Sequence, residues 1–316
     1  MDQIKEVLLN HFKIKATKVS NLAGGWTALA YKVESLQKTY FLKVFLKNRQ
    51  SIKKWVELID YYVPITFELQ KNPRLKERIS VPIKTLEQEF KFEDQSAFYL
   101  LFPYIDGETV GESGLDTNEI VQFAEMISDL HCHQVELDVH PSMIEDFTLP
   151  LLSHFKNERM RKEEVPNDVR VIVEQYMPAI QNLMKETEKK AVLLRHNPPQ
   201  NVFCHTDLHH WNVMRVSNQL VIIDWEGLKL SPVEADLMFI QEQSYAATFM
   251  EQYQLLNPCF EMNETALLFF QGRRLLEDVA ELLEELLYDN QTEAQREKTL
   301  AYFRIEMEKI VQLDQI

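Results

Sequence analysis

Alternating apolar and polar positions predict a β-rich region in the first third of the chain. The period-two segments that indicate strands fall at residues 17–22, 28–34, 39–46, 90–92 and 97–102. An apolar stripe at helical spacing over residues 1–15 predicts a short amphipathic helix before them. Residues 49–71 also have helical periodicity, and we expect that helix to break at Pro64, which has no amide hydrogen to donate.

The rest of the chain has the periodicity of amphipathic helices. Asp116 and Glu119 have the spacing of a capping box at a helix start. Residues 166–187 predict a long helix bent near Pro178, and helical periodicity dominates from Asn263 to the end.

A boundary between the two regions is expected where the last strand leaves through Pro103 and Gly107, since such an exit favours a crossover between lobes. We therefore predict an α+β chain with two domains, residues 1–103 and residues 104–316.

Composition restricts the classes of partner. The 316 residues include 34 lysines and arginines against 49 aspartates and glutamates, a net charge of −15. So acidic a surface repels nucleic-acid backbones and anionic membranes, and it suits a cationic ligand. No stretch has the length of a membrane span, the N-terminus lacks the apolar core of a signal peptide, and the three cysteines lack metal-ligand spacing. We expect a cytoplasmic protein without nucleic-acid or membrane partners.

The residues between Phe203 and Trp225 carry the most informative chemistry. Asp207 stands five residues before Asn212, and Asp224 follows twelve residues later. Both aspartates follow short apolar runs that predict buried strands, whose ends hold side chains rigidly. Phosphoryl transfer from a magnesium nucleotide needs a carboxylate at the acceptor hydroxyl, and a carboxylate and an amide oxygen on the metal. The set predicts a kinase that acts on a small molecule.

A lone lysine, Lys43, interrupts the third apolar strand. It is either a solvent-facing charge or a contact with the α- and β-phosphates, held by a carboxylate on the following helix. The candidate carboxylates are Glu57, Asp60 and Glu68. The adjacent Gly24 and Gly25 would let backbone amides approach phosphate oxygens, although an ordinary hairpin turn explains the pair equally well.

Three polar residues near this motif have expected roles. His205 is expected to be buried, with its ring bonded to backbone near Asp224. Glu226 is interpreted as a solvated loop acid, and a place near the metal or the substrate is the alternative. Asp236 is expected to anchor the catalytic loop rather than to catalyse.

The histidines also permit a different interpretation, a zinc or two-metal hydrolase. Its ligands would come from His205, His209, His210, Asp207 and Asp224. Adjacent side chains such as His209 and His210 point in different directions, which disfavours a shared metal.

Residues 261–289 include eight carboxylates and two arginines. This segment is either an ordinary solvated helix face or an anionic wall for a cationic sugar or amine. Glu277 and Asp278 are the better substrate candidates, because they stand among apolar positions.

Taken together, the motifs resemble those of a known superfamily. His-Thr-Asp-Leu-His-His-Trp-Asn and Ile-Ile-Asp-Trp-Glu are similar to the His-Gly-Asp-Leu-His-x-x-Asn and Ile-Asp-Trp/Phe motifs of aminoglycoside phosphotransferases and choline kinases. Within that superfamily the chain most resembles the spectinomycin phosphotransferases. The likeness continues at residues 40–43, 81–86, 236–240 and 277–280, so it spans nearly the whole chain.

This resemblance implies a protein-kinase-like, two-lobed fold that uses ATP and Mg²⁺. A β-rich nucleotide-binding lobe, residues 1–103, would precede a mainly helical catalytic and substrate-binding lobe, residues 104–316. Asp207 would be the catalytic carboxylate, and Asn212 and Asp224 would ligate Mg²⁺. The adenine would meet backbone groups of Phe102, Pro103 and Tyr104, and the phosphates would contact Lys43 and the turn at Gly24 and Gly25.

The implied acceptor is a hydroxyl of a small cationic molecule, an aminoglycoside or aminocyclitol antibiotic such as spectinomycin. Choline, ethanolamine, homoserine and methylthioribose are the metabolite alternatives, and a nucleotide-binding pseudoenzyme is the alternative from another class.

The chain also departs from the pattern of the superfamily. Thr206 stands where the motif usually has glycine, and Trp211 where a small residue is common. Only eleven residues separate Asp224 from Asp236, which leaves no room for a long activation segment and disfavours protein substrates.

Overall fold

An antiparallel sheet of five strands forms the N-terminal region, in the spatial order β1-β2-β3-β5-β4. Its strands are β1 (Ala16–Asn21), β2 (Leu29–Ser35), β3 (Thr39–Leu46), β4 (Phe92–Glu93) and β5 (Ala97–Pro103). The computed structural model that gives this fold describes residues 1–22, 28–49, 53–134, 138–149, 165–289 and 291–313. The predicted strands are confirmed, and only β4 is shorter than its pattern and shifted along the chain.

Helices make up most of the remaining described chain. Apart from single turns they are α1 (Asp2–Phe12), α2 (Lys53–Leu69), α3 (Thr117–His131), α4 (Asn167–His196), α5 (Glu234–Gln241), α6 (Ala246–Leu256), α7 (Glu264–Tyr288) and α8 (Glu293–Leu313). The predicted class, α+β with an antiparallel N-terminal sheet and a helical C-terminal part, is confirmed. None of the helices in the described ranges is both long and apolar enough to cross a membrane.

The first helix packs on the sheet as its apolar stripe predicts. Ile4, Val7, Leu8 and Phe12 are buried in one cluster with side chains of β2, β3 and β5. His11, on the same face, stacks on the ring of Phe92 at 3.6 Å between centroids.

Helix α2 continues through Pro64, so the predicted break is wrong. An internal proline costs a helix about 3 kcal/mol, because it removes one hydrogen bond and crowds the preceding turn. Val63, Ile65 and Leu69 are almost completely buried, and each such side chain contributes about 1.5–3 kcal/mol. Burial of this face therefore outweighs the local cost of the proline.

Two small sheets carry the motif between Phe203 and Trp225. One pairs β7 (Val202–Cys204) with β10 (Lys229–Ser231), and the other has the order β6-β8-β9. The strands of the second sheet are β6 (Glu108–Thr109), β8 (Val213–Val216) and β9 (Gln219–Ile222). Strands β7 and β9 confirm the two apolar runs predicted to precede the aspartates.

The chain divides into two units. The first comprises residues 1–144 and 201–261, and it contains the sheets and the segment from Phe203 to Trp225. The second comprises residues 145–200 and 262–316, where α4, α7 and α8 bury an apolar core. Helix α4 extends beyond its predicted end, and the predicted lobe boundary after Pro103 remains a prediction.

Candidate active site

The loop that carries Asp207 is fixed by a buried carboxylate. Asp236, in the first turn of α5, accepts hydrogen bonds from the backbone amides of His205 (3.0 Å) and Thr206 (2.6 Å). The buried His205 ring contacts the carbonyl of Ile223 through Nε2 at 2.9 Å. Both structural predictions are confirmed: Asp236 anchors the catalytic loop, and His205 links it to the strand before Asp224.

Thr206 has a left-handed backbone, with φ of 63°. Glycine adopts this conformation without strain, whereas a β-branched residue rarely does. The Thr206 hydroxyl donates to the carbonyl oxygen of Gly227 at 2.7 Å. A Cβ at Gly227 would lie 2.6 Å from the Thr206 Oγ1, so the absence of a side chain there makes room for the threonine.

Asp207 and Asn212 are joined directly. The Nδ2 of Asn212 donates to the backbone oxygen of Asp207 at 2.8 Å and to its Oδ2 at 2.9 Å. These two bonds use the carboxamide nitrogen of Asn212 and not its oxygen. The Nε2 of His209 lies 3.4 Å from Asp207 Oδ1.

Asp224 leaves the same end of the β8–β9 hairpin as Asn212. Val213 pairs with Ile222, and the amide of Ile223 donates to the Asn212 carbonyl at 3.0 Å. Asp224 follows with a left-handed backbone, φ 65° and ψ 61°. Its side chain is 39% exposed, so the hairpin register brings the two predicted metal ligands together at an accessible position.

Lys43 reaches this cluster from β3. Its Nζ lies 2.6 Å from Asp224 Oδ1 and 2.5 Å from Glu226 Oε1, and the side chain is buried. The alternative of a solvent-facing lysine is therefore wrong. The interpretation of Glu226 as a solvated acid is also wrong, because its side chain is only 11% exposed.

The predicted carboxylates of α2 do not hold Lys43. Asp60 pairs with Lys91, and Glu68 pairs with Lys71 at 2.7 Å. Glu57 is exposed. The partner comes instead from the turn after Asp224, where the buried Trp225 donates its indole N–H to the Ile222 carbonyl at 3.2 Å and fixes the turn.

Burial and charge oppose each other in this cluster. Burial by itself lowers the pKa of Lys43, but the Asp224 and Glu226 carboxylates outweigh it and raise the pKa above its ordinary value. Burial raises the pKa of Glu226, and Asp224 adds to this shift while Lys43 opposes it. The ammonium group thus stays charged beside the two carboxylates.

The predicted adenine contacts lie at the end of β5. Phe102 pairs with Phe41 of β3, close to Lys43. Pro103 has no amide hydrogen, and the amide of Tyr104 donates to the Thr39 carbonyl at 3.2 Å. Contacts from Pro103 and Tyr104 would therefore use carbonyl oxygens. The other predicted phosphate contacts, Gly24 and Gly25, lie outside the described residues.

His210 and Tyr245 form an aromatic pair beside the motif, and no local sequence pattern predicts their contact. His210 Nε2 lies 2.6 Å from the Tyr245 hydroxyl, and its Nδ1 lies 3.2 Å from the Gly111 carbonyl. Burial lowers the pKa of His210. Trp211, one of the departures from the motif, is 58% exposed with its ring edge against Gly111. The pair His210–Tyr245 spans thirty-four intervening residues, so only the tertiary fold reveals it.

The hydrolase alternative is not supported. His205 and His210 use their ring nitrogens on backbone carbonyls and on the Tyr245 hydroxyl. Among the described residues, one group has ligand atoms within 4.8 Å of one another: His131, Cys204 and Asp236. His131 already contacts Asp236 at 3.1 Å and the Tyr253 hydroxyl at 2.8 Å, which makes this group a buried hydrogen-bond network that supports the loop.

Comparison with known proteins agrees with this geometry. The profile of the Phosphotransferase enzyme family, APH, matches residues 18–262, and the chain belongs to this family. The family and its kinase relatives support a small-molecule phosphotransferase. No curated protein sequence matches the chain significantly.

Three solved structures illustrate the shared, kinase-like fold. Spectinomycin phosphotransferase APH(9)-Ia, in complex with ADP and spectinomycin, has a TM-score of 0.74 at 22% identity, over 100% of this chain and 98% of that one. An amicoumacin kinase in complex with AMP-PNP, Ca²⁺ and Ami has a TM-score of 0.60 at 16% identity, over 98% of this chain and 92% of that one. A microcompartment-associated aminopropanol kinase has a TM-score of 0.62 at 12% identity, over 99% of this chain and 97% of that one.

Proposed function

We propose that the protein transfers the γ-phosphate of ATP to a hydroxyl of a small cationic molecule. The observation that carries this proposal is the direct connection of Lys43, Asp224, Asn212 and Asp207. Hydrogen bonds join Lys43 to Asp224 and Asn212 to Asp207, and a backbone bond of 3.0 Å joins Asn212 to Ile223. A cytoplasmic location, where ATP is available, belongs to the same proposal.

Asp207 is the catalytic carboxylate in this proposal. It orients the acceptor hydroxyl and accepts its proton late in the transfer, an effect worth roughly 10²- to 10⁴-fold. Asn212 holds Asp207 in one orientation through Oδ2. Because Asp236 fixes the preceding backbone, the carboxylate is positioned before the substrate binds.

The donor set fits Mg²⁺, which prefers oxygen ligands. The carboxamide oxygen of Asn212 and the carboxylate of Asp224 would hold it, because the Asn212 nitrogen is already committed to Asp207. When bound, the metal ion would neutralise charge on the transferring phosphates. Lys43 would contact the phosphates with the Gly24–Gly25 turn, and backbone near Phe102–Tyr104 would meet the adenine.

We propose an aminoglycoside or aminocyclitol, such as spectinomycin, as the acceptor, and antibiotic resistance as the role. The whole-chain likeness to a phosphotransferase in complex with ADP and spectinomycin supports this choice. The net charge of −15 suits a cationic acceptor.

A metabolite acceptor of the choline, homoserine or methylthioribose type is the second candidate. Trp211 favours it, because an exposed indole face can bind a quaternary ammonium group. The likeness to an aminopropanol kinase also supports a small amino alcohol.

ADP release from purified protein with Mg-ATP tests these candidates. Spectinomycin, kanamycin, choline and homoserine would be compared at equal concentration, and we expect rapid release only with spectinomycin. Turnover with choline or homoserine alone would favour the second candidate. Nucleotide binding without turnover on any acceptor would indicate a pseudoenzyme and contradict the proposal.

A further inference from the structure

Both carboxylates that hold Lys43 come from one short segment of the chain. Asp224 and Glu226 are separated by the buried Trp225, and both contact the Lys43 Nζ at 2.6 Å or less. Neighbouring carboxylates on α2 pair elsewhere or face solvent. Glu226, as a partner of Lys43, and the proposed metal ligand Asp224 therefore share a single loop.

The two carboxylates differ in their surroundings. The Asp224 side chain is 39% exposed, whereas that of Glu226 is 11% exposed. In the proposed function Asp224 contributes its carboxylate to Mg²⁺, which leaves Glu226 as the anion beside Lys43. A buried ammonium group requires a nearby anion, and a buried anion is screened less by water than an exposed one.

Helix α2 supplies a phenol to this cluster instead of a carboxylate. Tyr62 is only 2% exposed, and within the described part of the chain its hydroxyl has no hydrogen-bond partner. The phenol lies near enough to Glu226 and Asp224 that both carboxylates, after burial itself, raise its pKa. A buried donor without a partner is unusual in a folded protein.

We infer that Glu226 is the residue that positions Lys43 for the nucleotide phosphates, the task that sequence reasoning assigned to an acid of α2. This inference rests on the proposed function, because it concerns the lysine that would bind phosphate. Glu226 touches Lys43 and is a positioning residue rather than a catalytic one.

Calorimetric titration of the full chain with ADP, in Mg²⁺ and separately in EDTA, tests this role without any acceptor. Glu226→Gln is expected to weaken ADP binding roughly tenfold in both solutions, equivalent to about 1.4 kcal/mol. With spectinomycin as the acceptor, the fold increase in the KM for ATP of Glu226→Gln should exceed the fold decrease in its kcat, because Asp207 and Asn212 are unchanged. Glu57→Gln, Asp60→Asn and Glu68→Gln each remove one of the three α2 acids and should leave ADP affinity unaltered.

Two results would overturn the inference. Unchanged ADP affinity of Glu226→Gln in EDTA, with weakening only in Mg²⁺, would make Glu226 a metal ligand instead. A loss of affinity in Glu57→Gln, Asp60→Asn or Glu68→Gln equal to that of Glu226→Gln would return the role to α2.

A conservative variant keeps the test decisive. If circular dichroism shows Glu226→Gln to be unfolded, Glu226→Asp retains the charge with a shorter reach, and it should weaken ADP binding in both solutions to a smaller extent. ADP affinity equal to wild type in both solutions would contradict the inference. Failure of the wild type to bind ADP would instead refute the proposed function, so the two failures are distinguishable.

Discussion

The hydroxyl of Thr206 donates a 2.7 Å hydrogen bond to the carbonyl of Gly227. It joins the loop before Asp207 to the turn after Asp224, the two segments that carry the proposed catalytic and metal-binding carboxylates. Thr206 keeps its left-handed backbone, φ 63°, although β-branched residues rarely adopt it. This bond and those of the flanking amides to Asp236 hold the strained conformation.

Gly227→Ala should disturb both segments at once. The new Cβ would lie 2.6 Å from Thr206 Oγ1 and 2.9 Å from the His205 carbonyl oxygen, so backbone must move. We expect a loss of about 1–3 kcal/mol in the free energy of unfolding, typical of overpacking, together with lower turnover. Urea denaturation measures the first effect. Thr206→Ser is the matched control, since it keeps the hydroxyl, and wild-type stability in Gly227→Ala would contradict the tight packing.

Asp236→Asn should destabilise the catalytic loop. Asp236 accepts from two backbone amides and contacts His131 at 3.1 Å, all in buried surroundings. An amide in its place would bring a donor against a donor, and disruption of such a buried network costs about 3–5 kcal/mol. Thermal unfolding tests this prediction. Glu68→Gln breaks an exposed ion pair with Lys71 and should cost less than about 1 kcal/mol; equal effects would refute the anchoring role.

Asp207→Asn should separate nucleotide binding from turnover. The amide cannot accept the hydroxyl proton, so kcat should fall roughly 10²- to 10⁴-fold. Lys43 and Asp224 are unchanged, so ADP affinity should stay close to wild type. Steady-state kinetics and calorimetry give the two values. Near-normal turnover in this variant would eliminate Asp207 as the catalytic carboxylate.

Asp278 should make the stability of the second unit depend on pH. Burial, with Glu281 and Glu306 nearby and Arg274 only partly opposing, raises the pKa of Asp278 to about 7. An unfolded aspartate titrates near about 3.9, so the native state holds the extra proton between these values. This contribution to stability is complete below the window and is lost as pH rises through it.

The matched variant for this prediction is Asp278→Asn, which cannot ionise. Relative to it, the wild-type free energy of unfolding should decrease from about pH 4 to about pH 7. Chemical denaturation across this range measures the difference. A constant difference, or one that grows in favour of the wild type as pH rises, would contradict a protonated Asp278.

The spacing of apolar residues correctly predicted the helices and strands whose buried face repeats regularly along the sequence. The face of α1 and the strands that precede Asp207 and Asp224 follow from apolar spacing alone. The continuity of α2 through Pro64 does not follow from local spacing, because the burial that stabilises this helix face is a tertiary effect. Elements whose stability comes from packing are therefore the ones that sequence periodicity describes incompletely.

In the candidate site, too, some residue roles were predicted from the sequence and others depend on the folded structure. The structural roles of His205 and Asp236 were predicted correctly. The carboxylate partner of Lys43 was predicted wrongly, because α2 has several acids at suitable spacing. Glu226 faces the lysine because of the left-handed backbone at Asp224 and the burial of Trp225. These features are set by the folded turn rather than by spacing.

Detection of the phosphorylated acceptor tests the central claim most directly. Wild-type protein and Asp207→Asn would be incubated with γ-labelled ATP, Mg²⁺ and each of spectinomycin, kanamycin, choline and homoserine, and the label in the acceptor would be measured. The account predicts labelled spectinomycin with the wild type and almost none with the variant. Absence of label in every acceptor, from wild-type protein shown to bind ADP, would contradict phosphoryl transfer to these small-molecule hydroxyls.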